Sequence, residues 1–261
     1  MSTGVWEAYA LRYARHDRLA RENFLGGDPH DNSPMPMDYF IWVVKSPERL
    51  FVIDTGFDKS SGDRRGRESL RSPADGLKSI GIDPLEVKDV IISHMHYDHC
   101  GNHDLCPNAI YHLQDREIQY CTGRHMTHPY MRFPFDEEDV IAMVRRIYHD
   151  RVVFHSGDEE LAPGLSVHHV GGHSMGLQMV RVWTRRGWVV LATDAAHYYE
   201  NIERDLAYPF LYNLGEVLEG YRRARALADS PDHIVPGHDP KVLEKYPPPR
   251  EDLKGWVARL D

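Results

Sequence analysis

The sequence predicts a mixed α/β (α+β) protein, in which short apolar strands alternate with amphipathic helices. Apolar, β-branched runs such as 39–44 and 50–53 have the length and composition of buried strands. Residues 137–148 instead repeat apolar side chains at helical spacing, which gives that segment one apolar face. The 261 residues contain no internal repeat and no linker-like change in composition, so we expect a single domain over residues 1–261.

Strands and helices are predicted along the whole chain. Turn residues at 46–48 separate one pair of strands, and residues 185–187 separate a second pair that forms a hairpin. We expect a mobile loop at 58–71 and, within 247–261, a proline break followed by a short amphipathic helix. The predicted strands are 6–13, 39–44, 50–53, 89–92, 108–113, 152–154, 165–170, 179–183, 188–192 and 233–235. The predicted helices are 74–80, 115–120, 137–148 and 214–228.

The composition is that of an ordinary soluble protein with an acidic balance. Lysine and arginine total 31 and the acids total 40, which gives a net charge of −9 with histidine neutral. This balance argues against nucleic acid or an anionic membrane as the main partner. The odd set Cys100, Cys106 and Cys121 forms no disulfide framework, and we expect Cys100 to pack as a small buried residue. Residues 1–15 lack a signal-peptide core, so we expect a reduced, cytoplasmic protein.

The most distinctive stretch of the chain places three histidines and an aspartate within six residues. These are His94, His96, Asp98 and His99. The β-branched run 89–92 before them predicts a buried strand, so His94 would lie at its carboxyl end and the other three on the following turn. Adjacent side chains on such a turn point in different directions, so it can address two metal ions. Imidazole and carboxylate ligands suit zinc or another borderline first-row metal.

The histidine cluster resembles the HxHxDH signature of the metallo-β-lactamase superfamily. The other metal-ligand motifs of that superfamily follow in the same order along the chain. The matching motifs are His94-x-His96-x-Asp98-His99, Gly171-Gly172-His173-Ser174, Leu191-Ala192-Thr193-Asp194 and Val235-Pro236-Gly237-His238. The likeness extends from about Phe40 to His238, and the nearest subgroup is the N-acyl-homoserine lactonases. The resemblance implies a four-layer αββα sandwich made of two β-rich halves.

The resemblance also implies two metal ions, expected to be zinc, with iron, manganese or cobalt as alternatives. The implied ligands are His94, His96 and His173 for one ion, Asp98, His99 and His238 for the other, and Asp194 as the bridge. A hydroxide held by the metals would attack an ester-like or amide-like carbonyl, and Asp98 would help to move the proton to the leaving oxygen. Asp54, in an Asp-Thr-Gly turn after a predicted strand, would orient a ligand histidine.

One position departs from the lactonase subgroup. That subgroup carries a tyrosine three residues after the bridging aspartate, where this chain has His197, followed by Tyr198 and Tyr199. We expect either the His197 imidazole or the Tyr198 hydroxyl to stabilise the carbonyl oxygen of the substrate. An ionising histidine would add a pH dependence near 6.5 that tyrosine lacks. The alternative is that both side chains merely pack beside the site.

Two segments outside these motifs are candidates for a substrate pocket. The long polar loop 15–36 carries Phe24 and Met35 and is followed by Met37, and these three side chains would line a pocket or simply pack beneath the loop. The segment 124–136 mixes prolines, aromatics and methionines, a composition that suits a pocket wall, a lid or a dimer contact. The histidines expected to be structural are His125, His128, His168 and His169.

The leading hypothesis from the sequence is a dinuclear metallohydrolase that opens a small-molecule lactone of the N-acyl-homoserine lactone type. Alternatives are a thioester as in glyoxalase II, a β-lactam, another catabolic ring or a phosphodiester, and the acidic balance disfavours a nuclease. A non-hydrolytic metal protein on the same fold is a different class, because fold alone does not fix function. The sequence leaves a homodimer open and indicates no nucleic-acid or membrane partner.

Overall fold

The protein is described here by a computed structural model, which covers residues 4–261; residues 1–3, part of the segment inspected for a signal peptide, lie outside it. The strands are β1 (Glu7–His16), β2 (Met37–Lys45), β3 (Leu50–Ile53), β4 (Glu68–Ser69), β5 (Asp89–Ile91), β6 (Ile110–Gln114), β7 (Val152–His155), β8 (Glu159–Ala162), β9 (Leu165–His169), β10 (Gln178–Thr184), β11 (Gly187–Thr193), β12 (Ile234–Pro236) and β13 (Val257–Arg259). The helices are α1 (Lys59–Arg65), α2 (Pro73–Ser79), α3 (Tyr97–Cys100), α4 (Asp115–Cys121), α5 (Pro129–Arg132), α6 (Glu137–Tyr148), α7 (Tyr199–Arg204), α8 (Leu214–Leu227) and α9 (Lys241–Lys245).

These strands form two sheets. The first has eight strands, in the order β13-β1-β2-β3-β5-β6-β7 with β4 paired to β1, and the second has five, in the order β12-β11-β10-β9-β8. The predicted hairpins β2–β3 and β10–β11 are both antiparallel pairs, as expected. Within the described residues, no helix is both long enough and apolar enough to cross a membrane.

Side-chain alternation along the strands builds the layers. In β2, Phe40 and Trp42 point into a core shared with the second sheet, whereas Tyr39 and Ile41 point into a core beneath α2, α4 and α6. The other face of the second sheet is covered by α7 and α8 through a third core. Helices therefore cover the outer face of each sheet, and the predicted four-layer αββα sandwich is confirmed.

The segment 58–71 is not the loop that we predicted. It contains α1 and the short strand β4. The Asp58 carboxylate accepts a hydrogen bond from the Ser61 backbone N–H at 2.6 Å, which caps the start of α1. Gly66 ends the helix with a left-handed backbone (φ 66°), a conformation that glycine adopts without steric cost. These capping signals outweigh the charged composition that suggested a loop.

The end of the chain also differs from the prediction. The expected amphipathic helix within 247–261 is wrong, because the segment forms a short 3-10 turn and then the strand β13. β13 pairs with β1, with Val257 opposite Leu11, and so completes an edge of the first sheet. A second miss is β8, whose exposed Glu159 and Glu160 obscure the strand pattern. Backbone pairing decides the structure in both places, with the distant strand β1 for β13 and with the next strand, β9, for β8.

The two sheets bring four strand ends together. β3 and β5 are parallel neighbours in the first sheet, and β11 and β12 are parallel neighbours in the second. Asp54 follows β3 directly, and His94 lies three residues beyond the end of β5. Asp194 follows β11 and His238 lies two residues beyond β12. Three of the predicted metal ligands, together with Asp54, therefore lie at or just beyond the carboxyl ends of these strands.

Candidate metal centre

The seven predicted ligands converge in one buried cluster. Side-chain nitrogens or carboxylate oxygens lie within 4.8 Å of one another in three overlapping groups. These groups are His94–His96–His173, His94–His99–Asp194 and Asp98–His99–His238. All seven residues are at most 9% exposed. Imidazole and carboxylate donors in this number suit divalent metal ions.

Asp194 lies between the two predicted ligand sets. Its Oδ1 is 3.2 Å from His99 Nε2 and 3.1 Å from His238 Nε2, while its Oδ2 is 3.3 Å from His173 Nε2. Two atoms that each bind zinc at about 2.0–2.1 Å are separated by roughly 3–4 Å, so these spacings fit shared ions. His99 Nε2, His173 Nε2 and Asp194 Oδ1 are buried without a hydrogen-bond partner. Such orphaned donor atoms are what a metal site requires.

Neighbouring polar groups orient the histidines. Asp54 Oδ2 accepts a hydrogen bond from His99 Nδ1 at 2.7 Å, as the Asp-Thr-Gly turn predicted. The Asp38 backbone oxygen lies 2.9 Å from His238 Nδ1 and plays the same part for that ring. With Nδ1 engaged in this way, each of the two rings turns Nε2 toward Asp194 as the atom that could bind a metal ion. This arrangement raises ligand basicity and fixes the tautomer.

The charge state of the cluster follows from burial and from the carboxylates. Burial, reinforced by the neighbouring imidazoles, holds the pKa values of His94 and His96 well below the ordinary value, so both rings are neutral ligands. Burial alone would lower the pKa of His99, but the carboxylates of Asp194 and Asp98 raise it well above the ordinary value. A metal ion and a proton therefore compete for His99.

The backbone is strained where it enters the site. Asp54 (φ 62°) and Thr193 (φ 48°) both occupy the left-handed region, which is rare for residues other than glycine and is costly for a β-branched side chain. Gly237 is required for a different reason. A Cβ atom at this position would lie 2.6 Å from Asp194 Oδ1, which leaves room only for glycine beside the bridging carboxylate.

The structure places the two candidates for the family's tyrosine role very differently. His197 Nε2 lies 3.2 Å from Asp194 Oδ2 and belongs to a fourth group of potential ligand atoms with His173 and Asp194. The Tyr198 hydroxyl is instead directed to the backbone oxygens of Met35 and Pro36, at 3.4 and 3.3 Å. The structure therefore brings His197 into the cluster but does not bring the Tyr198 hydroxyl there.

The remaining candidates lie around the centre. Cys100 is buried, and its thiol contacts the Met95 backbone oxygen at 3.3 Å. Phe24 and Met35 line a cavity of about 590 Å³ together with Tyr198, whereas Met37 is buried in the core of the first sheet. The other histidines have local contacts: His125 with Tyr120, His168 with Asp158 and Ser166, His169 with the Met175 oxygen, while His128 is exposed.

Sequence reasoning missed two supporting residues. Glu117, on α4, is fully buried and accepts hydrogen bonds from the loops that carry His96 and His173. Tyr208 donates a hydrogen bond to the Asp194 backbone oxygen and stacks on His197, with ring centroids 3.7 Å apart. Glu117 leaves no mark in the sequence because its partners are distant. The aromatic run around Tyr208 was a visible signal, similar in composition to the segment 124–136.

Comparisons with known proteins all point to the same family. Residues 36–238 match the family described as the metallo-beta-lactamase superfamily. An N-acyl homoserine lactonase, AttM, of Azorhizobium caulinodans is 30% identical over 182 residues, which span 65% of each chain. The N-acyl homoserine lactonase AiiA of Bacillus thuringiensis subsp. kurstaki is 29% identical, over 64% of this chain and 67% of its own. The chain thus aligns with only about 65% of the length of relatives such as AttM.

Solved structures share the fold over nearly the whole chain. A quorum-quenching N-acyl homoserine lactone lactonase superposes with a TM-score of 0.75 at 22% identity, covering 92% of this chain and 94% of its own. A probable metal-dependent hydrolase from Staphylococcus aureus superposes with a TM-score of 0.69 at 15% identity, covering 92% and 91%. At these identities the likeness establishes the architecture.

Proposed function

The chain belongs to the metallo-beta-lactamase superfamily, and from this we propose that it is a metal-dependent hydrolase that opens the ring of a lactone of the N-acyl homoserine lactone type. The observation that carries the proposal is the buried convergence of all seven His and Asp side chains of the family pattern. Relatives named as N-acyl homoserine lactonases support the substrate class, a small molecule whose hydrolysis is quorum quenching in the structural neighbour. We also propose a cytoplasmic location, with which the three free thiols agree.

We propose that the site holds two zinc ions, with iron, manganese or cobalt as substitutes. His94, His96 and His173 would hold one, Asp98, His99 and His238 the other, and Asp194 would bridge them. When bound, such ions supply Lewis acidity, which polarises a carbonyl and lowers the pKa of water to about 7.

The chain's own residues would position the substrate and move the proton. Asp98 lies at the edge of the cluster, where its carboxylate would carry a proton to the leaving oxygen of the opened ring. His197 lies beside Asp194, where its imidazole would donate a hydrogen bond to the carbonyl oxygen as that oxygen gains charge. We therefore assign the role of the subgroup's tyrosine to His197 and not to Tyr198, whose hydroxyl is engaged elsewhere.

The test is a hydrolysis panel on the purified, metal-loaded chain. N-acyl homoserine lactones, simple lactones, a thioester and a β-lactam are compared, and the proposal expects the acyl lactones to have the highest kcat/KM. Asp194→Ala should abolish hydrolysis, since the bridge positions both ligand sets, while the exposed control Asp63→Ala should behave like the parent. Lactonase activity in Asp194→Ala within tenfold of the parent, with metal still bound, would reject the mechanism.

A further inference from the structure

Two of the predicted metal ligands line a small and mainly apolar cavity. This cavity of about 10 Å³ lies over His96 and His173, bounded mainly by Tyr130, Met131 and Phe210. That volume holds about one water molecule. No Asp, Glu, Lys or Arg side chain lines it. A substrate that reaches the two histidines by this route must therefore displace the wall, and the part of it that remains in the opening meets apolar surface.

Two of the residues that line this cavity, Tyr130 and Phe210, belong to a cluster of three aromatic rings, of which Phe133 is the third. Phe210 stacks on Tyr130, with ring centroids 5.4 Å apart and an interplanar angle of 17°, and on Phe133, at 5.5 Å and 21°. The rings come from two distant segments of the chain, the region of α5 and the loop before α8. All three are exposed large apolar side chains, at 60% for Tyr130, 57% for Phe133 and 38% for Phe210. A cluster of exposed rings beside a buried cavity is typical of a binding surface.

The backbone at Phe210 is strained. Its φ of 61° lies in the left-handed region, which glycine adopts without steric cost and which an aromatic residue rarely adopts. Such strain persists only where the surroundings impose it, and it clusters at ligand clamps and switch regions. Two residues later, the Tyr212 N–H donates to the Gly172 backbone oxygen at 2.8 Å, which ties the loop to the segment that carries His173.

The two sides of the stack are held differently. Phe133 is anchored, because Arg65 of α1 donates a hydrogen bond to its backbone oxygen at 3.0 Å and lies over its ring at 5.8 Å. Phe210 makes no hydrogen bond of its own within the described residues, and its ring is held by stacking on Tyr130 and Phe133. Opening of the cavity is therefore expected on the Phe210 side, by separation of its ring from Tyr130 and Phe133.

We propose that Tyr130, Phe133 and Phe210 form an aromatic gate over the metal centre, and that this gate determines specificity by taking the apolar acyl chain of the substrate. The inference rests on the proposed function. A scissile carbonyl placed beside His96 and His173 leaves the acyl chain in the opening, where the other lining side chains are aromatic or aliphatic and none is charged. An uncharged aliphatic chain gains from this contact, and a charged chain loses its hydration there without a partner.

The first experiment measures kcat/KM for N-acyl homoserine lactones of increasing acyl length. In the parent we expect a gain of about three- to fourfold for each methylene that contacts the rings. Phe210→Ala should flatten this dependence mainly through KM. Phe210→Gly should flatten it equally, and because glycine relieves the positive φ, misfolding would not explain that loss. Tyr148→Ala, an aromatic control that is 84% exposed on α6, should match the parent. The same length dependence in the parent and in both Phe210 variants would overturn the proposal.

The second experiment does not depend on lactone hydrolysis. The gate covers two metal ligands, so a chelator such as EDTA should strip metal from Phe210→Ala about tenfold faster than from the parent or Tyr148→Ala. If the parent hydrolyses no lactone but Phe210→Ala loses metal faster, the proposed function fails and the gate stands. Equal rates of metal loss in the parent and in Phe210→Ala would overturn the gate.

Discussion

His197 shows at the residue scale how packing changes the chemistry that a sequence suggests. An exposed imidazole would titrate near pH 6.5, and on that basis we expected a pH dependence that a tyrosine would lack. Burial lowers the pKa of His197 to about 3, although the Asp194 carboxylate opposes the shift. The ring is therefore neutral above about pH 5. The pH dependence near 6.5 that we expected from His197 is therefore wrong. A neutral imidazole still donates one hydrogen bond.

We therefore predict that His197→Ala lowers kcat by about 10²–10³ with metal content unchanged, because a donor to the developing oxyanion is lost. His197→Tyr should retain substantial activity. Since a group with a pKa of about 3 does not change protonation above pH 5, the kcat–pH profiles of the parent and His197→Tyr should coincide between pH 5 and 8. Tyr198→Phe is the control, and its kcat should change little. A large kcat loss in Tyr198→Phe with none in His197→Ala would transfer the role to Tyr198.

At the scale of elements, α4 supports the metal centre from outside through Glu117. Its Oε1 accepts a hydrogen bond from the Met95 N–H at 2.8 Å, between His94 and His96 in the chain. Its Oε2 accepts from the Ser174 hydroxyl at 2.7 Å and the Gly176 N–H at 2.8 Å, just after His173. One carboxylate thus joins the two loops that supply the first ligand set.

Glu117→Gln should weaken the first metal site in particular. Glutamine has one acceptor oxygen and one NH₂ group, so at least one of the three donors would face another donor. We expect metal affinity to fall by about 10- to 100-fold at the site of His94, His96 and His173, with the second site changed less. Competition with a chromophoric chelator, which resolves the two affinities, measures this. The exposed glutamate variant Glu138→Gln on α6 is the control. Equal weakening of both sites would instead indicate a general loss of structure.

At the scale of the whole molecule, the charges at the centre link metal binding to folding. Asp54, Asp98, Asp194 and Glu117 are all nearly or fully buried, close to the junction of the two sheets. Buried carboxylates are costly unless cations compensate them, so bound divalent ions stabilise the folded state. The core between the two sheets draws side chains from both halves of the chain, which is why we propose that residues 1–261 fold as one domain.

Metal removal should therefore lower Tm. With free metal at a thousandfold excess over Kd, binding contributes about 4 kcal/mol, which for a chain of this size corresponds to roughly 8–16 °C. Differential scanning calorimetry with EDTA, and again after zinc is restored, measures the shift. Elemental analysis of the loaded protein should give two ions per chain. An unchanged Tm, or one ion or none per chain, would contradict the dinuclear centre.

The sequence by itself determined the features that depend on local spacing. Apolar runs bounded by turn residues predicted the two hairpins, because short runs of this composition are typical of buried strands. The His94–His99 cluster predicted a metal site, because one turn is enough to hold four ligands that lie within six residues. Asp54 was found for the same reason, in a short motif at a strand end.

Only the tertiary structure decided the features that depend on contacts between distant residues. Residues near Val257 form an edge strand because their backbone groups pair with those of β1. The local sequence around Val257 does not indicate this pairing. Glu117 acts on loops that begin about 20 and 57 residues away. Tyr198 and His197 are adjacent in sequence, yet one points to the 35–36 backbone and the other to Asp194. The direction of a side chain depends on what surrounds it, and that is fixed only when the two sheets have packed.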